Sequence, residues 1–191
     1  MSKTTSTAGF FEDKYRHNPD PWRFGSSEYE LARYNTIFEA LRDLRYARAL
    51  EPGCSIGVLT QRLAPLCEEL LAMDISPTAV SLARERCHDL ANVEIICGEF
   101  PSQMPHGSFD LIVLSEIGYY FDRSAVERIA RKLRRRLRSH ATVLAVHWLG
   151  ESEDHVMSGD EVHEIFESSL ELTLIQNDRH AGFRLNRWTA A

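Results

Sequence analysis

The sequence predicts an α/β domain built on a mostly parallel β-sheet. Short apolar runs of strand length alternate along the chain with helical patterns, which is typical of strands joined by crossover helices. A turn of small residues follows the first of these runs directly. The last third differs, because residues 170–176 and 182–188 read as two alternating strands joined by a short turn. We therefore expect an antiparallel hairpin at the end of an otherwise parallel sheet.

The first apolar run, residues 47–50, leads into the turn Glu51–Gly57, and a helical pattern begins near Val58. A strand, a turn of small residues and a helix form the corner at which nucleotide-binding α/β domains hold a phosphate or a cofactor. Gly53 and Gly57 allow positive φ and a close approach of the backbone to a ligand. The spacing is Gly-x-Ser-x-Gly, which differs from the Gly-x-Gly-x-x-Gly of dinucleotide dehydrogenases.

The second apolar run, residues 70–73, ends in Asp74, which lies 17 residues after Gly57. A second strand delivers a carboxylate to a ribose at about this distance in the chain. An ionised aspartate can accept hydrogen bonds from both hydroxyls of the ribose diol. The corner and Asp74 together therefore predict a cofactor that contains a ribose.

Three segments resemble the successive motifs of class I S-adenosylmethionine-dependent methyltransferases: Glu51–Gly57, Met73–Ser76 and Phe109–Glu116. The resemblance covers roughly residues 45–150. It implies a Rossmann-like sheet of seven strands in the order 3-2-1-4-5-7-6, with the last strand antiparallel and helices on both faces. The family most often has glycine where this chain has Ser55.

A narrower resemblance links the chain to the NodS-type nodulation N-methyltransferases. It rests on Asp20–Arg23, on Tyr29, Glu30 and Arg33, and on Glu116–Phe121. It implies an N-terminal helical lid over the cofactor, with Arg33 pairing with the carboxylate of the cofactor. In methyltransferases an acidic residue after the third strand commonly holds the adenine amino group, and Glu99 matches that position; an ordinary turn glutamate is the alternative.

S-adenosyl-L-methionine is therefore the expected cofactor. The residues expected to bind it share positions in the lid or at strand ends: Trp22, Arg33, Glu51, Gly53, Cys54, Ser55, Gly57, Asp74, Ile75, Glu99, Phe100 and Ser115.

The acceptor is expected to be a small molecule. We expect it to bind at the loops that follow the strand ends, because these loops carry the chemistry in such sheets. By position, Glu116 and His147 are the expected catalytic residues, and Tyr119 and Tyr120 the expected substrate-binding residues. An amine must be neutral when it attacks, and a histidine or a carboxylate can take its proton. The NodS-type resemblance implies that this amine belongs to a glucosamine-containing saccharide. Tyr119 and Phe121 could instead pack against the next helix.

Other functions find less support in the sequence. A net charge of −6 argues against an obligate nucleic-acid binder, and the Asn-Pro-Pro-Tyr of base-amine methyltransferases is absent. The basic run Arg131–Arg138 keeps helical spacing, which favours a solvated helix end over a polyanion site. The group of His147, Asp154, His155 and His163 lacks the spacing of a tight metal site, so we expect no metal. The four cysteines are expected to be reduced and packed.

We expect one domain over residues 1–191, composed of a helical lid (1–44), a cofactor-binding core (45–150) and a C-terminal helix with a hairpin (151–191). Ser27 and Glu30 predict a capping box that opens a helix to about Leu44, with Arg33 outside its apolar stripe. Arg33 is solvated if this helix only packs on the edge of the sheet, and it pairs with the cofactor if the helix belongs to a lid. No signal peptide and no membrane span is expected, so the predicted location is cytoplasmic. The oligomeric state cannot be predicted.

Two alternatives stay open at this stage. An NAD-dependent oxidoreductase would use the same corner and Asp74, but the missing Gly-x-Gly-x-x-Gly and the terminal hairpin argue against it. A catalytically silent protein of the same fold would keep the core and lose a productive acceptor pocket.

Overall fold

The structure is a computed structural model that describes residues 7–191. The helices of this part of the chain are α1 (Ala8–His17), α2 (Glu28–Leu41), α3 (Val58–Leu63), α4 (Pro77–Arg86), α5 (Arg123–Arg134) and α6 (Gly159–Ser169). Its strands are β1 (Tyr46–Pro52), β2 (Cys67–Asp74), β3 (Val93–Cys97), β4 (Phe109–Ser115), β5 (Leu137–Trp148), β6 (Thr173–Arg179) and β7 (Phe183–Thr189). None of the described helices combines the length and the apolar character that crossing a membrane requires.

The strands form one sheet in the order β3-β2-β1-β4-β5-β7-β6. The pairs β1–β2, β2–β3 and β4–β5 are parallel, whereas β7 runs antiparallel to both of its neighbours, β5 and β6. The predicted strand order and the predicted antiparallel hairpin are therefore confirmed.

The chain divides into two compact units, and the first covers residues 7–105. In this unit the parallel register pairs Leu50 with Leu71 and Met73 with Ile96. The central strand β2 is fully buried from Leu70 onward, as expected for a strand covered on both faces. Ser76 caps α4 by accepting a hydrogen bond from the backbone N–H of Ala79 at 3.1 Å.

The second unit covers residues 106–191. Its parallel pair places Ile112 of β4 beside Val143 of β5, and both side chains are completely buried. A capping box opens α6, because Ser158 and Glu161 bind each other's backbone N–H groups.

Two predicted helix boundaries are wrong. Ser27 precedes α2, but its side chain makes no capping hydrogen bond. The side chain of Glu30, which would complete the capping box, pairs with Arg33. The helix ends at Leu41, before the predicted end near Leu44. The basic run Arg131–Arg138 is divided between α5 and β5. The helix stops at Arg134, and Leu137 already begins β5, where it pairs with Phe109. The apolar Leu137, which looked like another turn of the helix, is used by the sheet.

Candidate functional site

The glycine corner, residues 51–57, follows β1 as predicted. Its backbone takes three positive φ angles: 73° at Gly53, 51° at Ser55 and 78° at Gly57. The N–H of Gly53 donates to the carbonyl of Met73 at 2.7 Å, which fastens the corner to the end of β2. A Cβ atom added to Gly57 would lie 3.2 Å from the backbone of Ala83. Both the backbone angle and this close packing require glycine at position 57.

The structure brings Asp74 and the corner together. One carboxylate oxygen of Asp74 accepts the backbone N–H of Ser55 at 2.9 Å, and the other accepts the N–H of Ser76 at 3.0 Å. Burial raises the pKa of Asp74, and these backbone hydrogen bonds oppose the change. Ser55 adopts a left-handed φ that glycine adopts more easily, which accounts for the glycine common at this position in the resembling family.

Glu51 is the second buried acid of the corner, with 2% of its surface exposed. Its Oε2 atom has no hydrogen-bond partner within the described part of the chain. Burial, together with the nearby charge of Asp74, raises the pKa of Glu51 to about 8, and the neighbouring Thr60 hydroxyl opposes the change. A buried carboxyl group with an unused oxygen is suited to a cationic or hydrogen-bond-donating ligand group.

Helix α1 contributes two contacts that the sequence analysis missed. The hydroxyl of Tyr15 donates to the Oγ atom of Ser55 at 2.6 Å. The carboxylate of Glu12 accepts the hydroxyls of Ser76 and Thr78, each at 2.7 Å, and the N–H of Thr78 at 3.1 Å. The helix is thereby fixed to the corner and to the start of α4. No spacing in the sequence indicates where this helix docks.

The predicted lid residues Trp22 and Arg33 occupy different environments. The half-buried Trp22 ring lies 5.5 Å from the Tyr15 ring and 5.6 Å from the Phe24 ring, measured between centroids. Arg33 has no exposed surface and forms an ion pair with Glu30. The solvated position considered for Arg33 is therefore wrong, and its role toward a cofactor stays a prediction.

The remaining residues of the predicted cofactor site in this unit differ in exposure. Cys54 and Phe100 are buried, and Ile75 is half-buried. Glu99 is exposed, and one of its carboxylate oxygens accepts the hydroxyl of Ser102 at 2.9 Å. The second oxygen of an exposed carboxylate can turn toward a ligand, so the predicted adenine contact of Glu99 stays a prediction.

In the second unit, β4 delivers the half-buried Ser115 and Glu116. Glu116 has a φ of 59°, a strained value for a side chain with a Cβ atom. Its carboxylate accepts the backbone N–H of Trp148 at 2.7 Å and the hydroxyl of Tyr119 at 2.6 Å. These two donors hold the carboxylate in one orientation, which is the arrangement that a proton acceptor needs.

The predicted substrate-binding tyrosines form an aromatic cluster. The Tyr119 ring stacks on the His155 ring at 3.7 Å between centroids, and the Tyr120 ring meets Tyr119 edge-on at 5.0 Å. Tyr119 is 3% exposed and Tyr120 is 9% exposed. His155 is therefore a member of this cluster that the sequence analysis connected only with a metal site.

His147 is completely buried in β5. Its Nε2 atom lies 3.0 Å from the backbone nitrogen of Gly118, and its Nδ1 atom lies 3.2 Å from Nε2 of His163. A backbone N–H can only donate, so the lone pair of Nε2 accepts the proton of Gly118. This arrangement limits the use of His147 as a proton acceptor.

The four cysteines are free thiols, as expected, but Cys97 is exposed and only Cys54 and Cys87 are fully buried. Across residues 7–191, no three His, Cys, Asp or Glu side chains gather closely enough to hold a metal ion. The group of histidines around His147 is instead connected by ring stacking and hydrogen bonds.

Comparison with known proteins identifies the family. A family model described as Nodulation protein S (NodS) matches residues 11–182, which is most of the chain. The chain belongs to the NodS family. It is 38% identical to nodulation protein S of Bradyrhizobium diazoefficiens over 109 residues, covering 56% of this chain and 52% of that protein. It is 32% identical to nodulation protein S of Sinorhizobium fredii over 112 residues, covering 58% and 52%. The chain spans about half the length of these NodS relatives.

Solved structures give the same fold. The N-methyltransferase NodS from Bradyrhizobium japonicum WM9, in complex with S-adenosyl-L-homocysteine, matches with a TM-score of 0.84 over 97% of this chain and 99% of that chain, at 22% identity. A Pseudomonas syringae protein described as a candidate methyltransferase matches with a TM-score of 0.76 over 85% and 99%, at 31% identity. The predicted fold is therefore confirmed as that of the class I methyltransferases.

Proposed function

We propose that this NodS-family chain is an S-adenosylmethionine-dependent N-methyltransferase acting on a small molecule. The observation that carries the proposal is the glycine corner hydrogen-bonded to the strand-end acid Asp74, in a chain that belongs to this family. The corner, Asp74 and Glu51 offer what the cofactor requires. Asp74 supplies acceptors for a ribose diol, and Glu51 has a buried oxygen without a partner in the described chain for the methionyl ammonium group.

The cofactor supplies, when bound, a methyl group that is already activated by a positively charged sulfur. The protein must then bind and orient the acceptor and keep water away, and such positioning supplies on the order of 7–11 kcal/mol in favourable cases. Gly53 and Gly57 let the backbone approach the cofactor. We propose that α1 and the aromatic segment around Trp22 form a lid, since Tyr15 and Glu12 fasten α1 to the corner.

We assign proton removal from the acceptor amine to Glu116. Its carboxylate lies at the end of β4, and the hydrogen bonds from Trp148 and Tyr119 hold it in one orientation. The largely buried rings of Tyr119 and Tyr120 pack against each other beside this carboxylate, and the hydroxyl of Tyr119 donates to it. Aromatic rings and carboxylates are the groups that saccharide sites use, which supports a glucosamine-containing saccharide with a free amine as the acceptor.

The test is methyl transfer to a glucosamine oligosaccharide, followed by mass spectrometry, with the fully N-acetylated oligosaccharide as the matched substrate. We expect a methylated product only from the free amine. Glu116→Gln removes the proton acceptor, so turnover should fall by about 10²–10⁴-fold while S-adenosylhomocysteine still binds with the affinity of the wild type.

Glu164→Gln, an exposed change on α6, is the control and should have no effect. Full turnover by Glu116→Gln would contradict the assignment of Glu116. Equal methylation of the acetylated oligosaccharide would contradict an amine acceptor.

A further inference from the structure

A chain of buried hydrogen bonds begins at His147 and crosses three elements of the second unit. Nδ1 of His147, in β5, lies 3.2 Å from Nε2 of His163, in α6. Nδ1 of His163 lies 3.0 Å from the side-chain oxygen of Asn186, in β7. All three side chains have no exposed surface. Because these polar atoms are buried together, each of their protons must be donated to a hydrogen-bond acceptor.

Both ends of this chain fix the protons. At one end the N–H of Gly118 can only donate, so Nε2 of His147 carries no proton. At the other end the Nε–H of Arg184 donates to the side-chain oxygen of Asn186 at 3.1 Å, so this atom is an acceptor. Nδ1 of His163 must therefore carry the proton that Asn186 accepts.

The two constraints agree at the contact between the rings. A neutral His163 with its proton on Nδ1 has a lone pair on Nε2. A neutral His147 without a proton on Nε2 has its proton on Nδ1, and this proton points at His163. A proton added to either ring would place two donors against each other, at Gly118 or between the rings. The geometry therefore admits one arrangement, with both histidines neutral.

The series of hydrogen bonds starts at Gly118, where only glycine fits beside the His147 ring. A Cβ atom added to Gly118 would lie 2.8 Å from Nε2 of His147 and 2.4 Å from Val162, so only glycine can approach the ring. Residues 118–120 form a 3-10 turn whose Tyr119 hydroxyl donates to Glu116. The backbone atom that His147 holds is thus two residues from Glu116, whose φ of 59° must be maintained by its surroundings.

We propose that His147, His163 and Asn186 are positioning residues, which fix the Gly118 turn and through it the orientation of Glu116 and Tyr119. This inference rests on the proposed function of Glu116. It replaces the expectation that His147 is a general base, because the only lone pair of the neutral ring is used by Gly118. His163 and Asn186 act by fixing the tautomer in which Nε2 of His147 is the acceptor.

The electrostatic surroundings of His163 agree with this arrangement. Burial, together with the positive charge of Arg184, lowers the pKa of His163 to about 3, whereas Asn186 and Asp160 oppose the change. Arg184 and Asp160 are themselves paired, with 3.6 Å between Nη1 and Oδ1. His163 therefore stays neutral at any pH at which the enzyme would be assayed.

The proton arrangement can be measured without a substrate. Long-range proton–nitrogen NMR correlations of the full chain at pH 7 distinguish the two neutral tautomers of histidine from the charged ring. We expect both His147 and His163 to carry the proton on Nδ1, with Nε2 as an acceptor. A proton on Nε2 of His147, or a charged His147, would overturn the proposal.

A pair of substitutions separates positioning from proton transfer. Gln places its amide oxygen where Nε2 of histidine lies and can still accept from Gly118, whereas Asn is too short to do so. His147→Asn should lower kcat with the glucosamine oligosaccharide by about 10- to 100-fold, and His147→Gln should restore most of it. Equal loss in both variants would show that the imidazole itself transfers the proton.

Thermal melting and S-adenosylhomocysteine affinity serve as folding controls, and His88→Asn, an exposed change, should leave kcat unchanged. If both His147 variants unfold, the NMR result on the wild-type chain still decides the tautomer. If the wild-type chain transfers no methyl group, the proposed function fails, whereas the tautomer result stands independently.

Discussion

A carboxyl group buried as deeply as that of Glu51 keeps its proton at neutral pH, because the charged form loses its hydration. Its folded pKa of about 8 lies above the ordinary value for glutamate, so the ligand-free protein holds this proton below about pH 8. An ammonium group placed beside Glu51 would favour the ionised form. The proposed position of the cofactor ammonium group beside Glu51 therefore couples cofactor binding to proton release.

We predict that S-adenosylhomocysteine binding at pH 7 releases about one proton from Glu51. The observed enthalpy of binding should then differ between phosphate and Tris buffers, whose ionisation enthalpies differ, and the difference should vanish at about pH 9, where Glu51 is already ionised. Calorimetric titration in the two buffers measures this directly. Glu51→Gln is the control, and it should bind with the same enthalpy in both. Equal enthalpies for the wild type would mean that Glu51 does not face the ammonium group.

Single residues also show what a sequence can and cannot predict. Asp74 was predicted correctly beside the corner, because the end of a strand fixes the place of its last side chain. The burial of Arg33 could not be predicted, since it depends on how α2 packs and on the compensation of its charge by Glu30, only three residues away. The nitrogens of His147 are assigned by contacts with Gly118 and His163, and no spacing in the sequence indicates which atoms will meet.

Among the elements, α1 has a defined docking position that depends on few side chains. The carboxylate of Glu12 accepts hydrogen bonds from Ser76 and Thr78, which lower its pKa. Hydrogen bonds to a charged group contribute about 1.5–3 kcal/mol each. Because Glu12 alone makes three hydrogen bonds from α1 to the start of α4, the local stability of α1 should respond strongly to its loss.

We predict that Glu12→Ala increases hydrogen exchange of the α1 amides by about tenfold or more, and weakens S-adenosylhomocysteine binding, with little change in the melting temperature. Mass spectrometry of the peptide that contains residues 8–17 measures the exchange. Asp13→Ala is the matched control, because this neighbouring carboxylate is exposed and should have no effect. Unchanged exchange in Glu12→Ala would show that other contacts hold α1.

Element boundaries were predicted less well than the elements themselves. The spacing of Arg131–Arg138 predicts that this whole run is helical, but α5 ends at Arg134 and Leu137 pairs with Phe109 in the sheet. A leucine that continues a helical spacing and a leucine that begins a strand look the same in a sequence. The pairing partner decides between them, and it lies far away in the chain.

For the whole molecule, the strand order could be predicted because it follows from the family, and the family from a few motifs at strand ends. Those motifs are local, since they consist of a turn and the residues that flank it. The acceptor site depends instead on residues from separate elements, such as Glu116, Trp148 and His155. The cofactor is therefore argued more directly from the sequence than the acceptor.

The proposed methyltransferase function depends most on the identity of the cofactor. We would titrate the chain with S-adenosylhomocysteine and, separately, with NAD⁺ in a calorimeter, and repeat the first titration on Asp74→Asn and on the exposed control Asp89→Asn. We predict micromolar binding of S-adenosylhomocysteine, no binding of NAD⁺, and at least about tenfold weaker binding by Asp74→Asn alone, because the neutral amide accepts the ribose diol less well. Binding of NAD⁺ without S-adenosylhomocysteine would contradict the account, and binding of neither would point to a catalytically silent member of the fold.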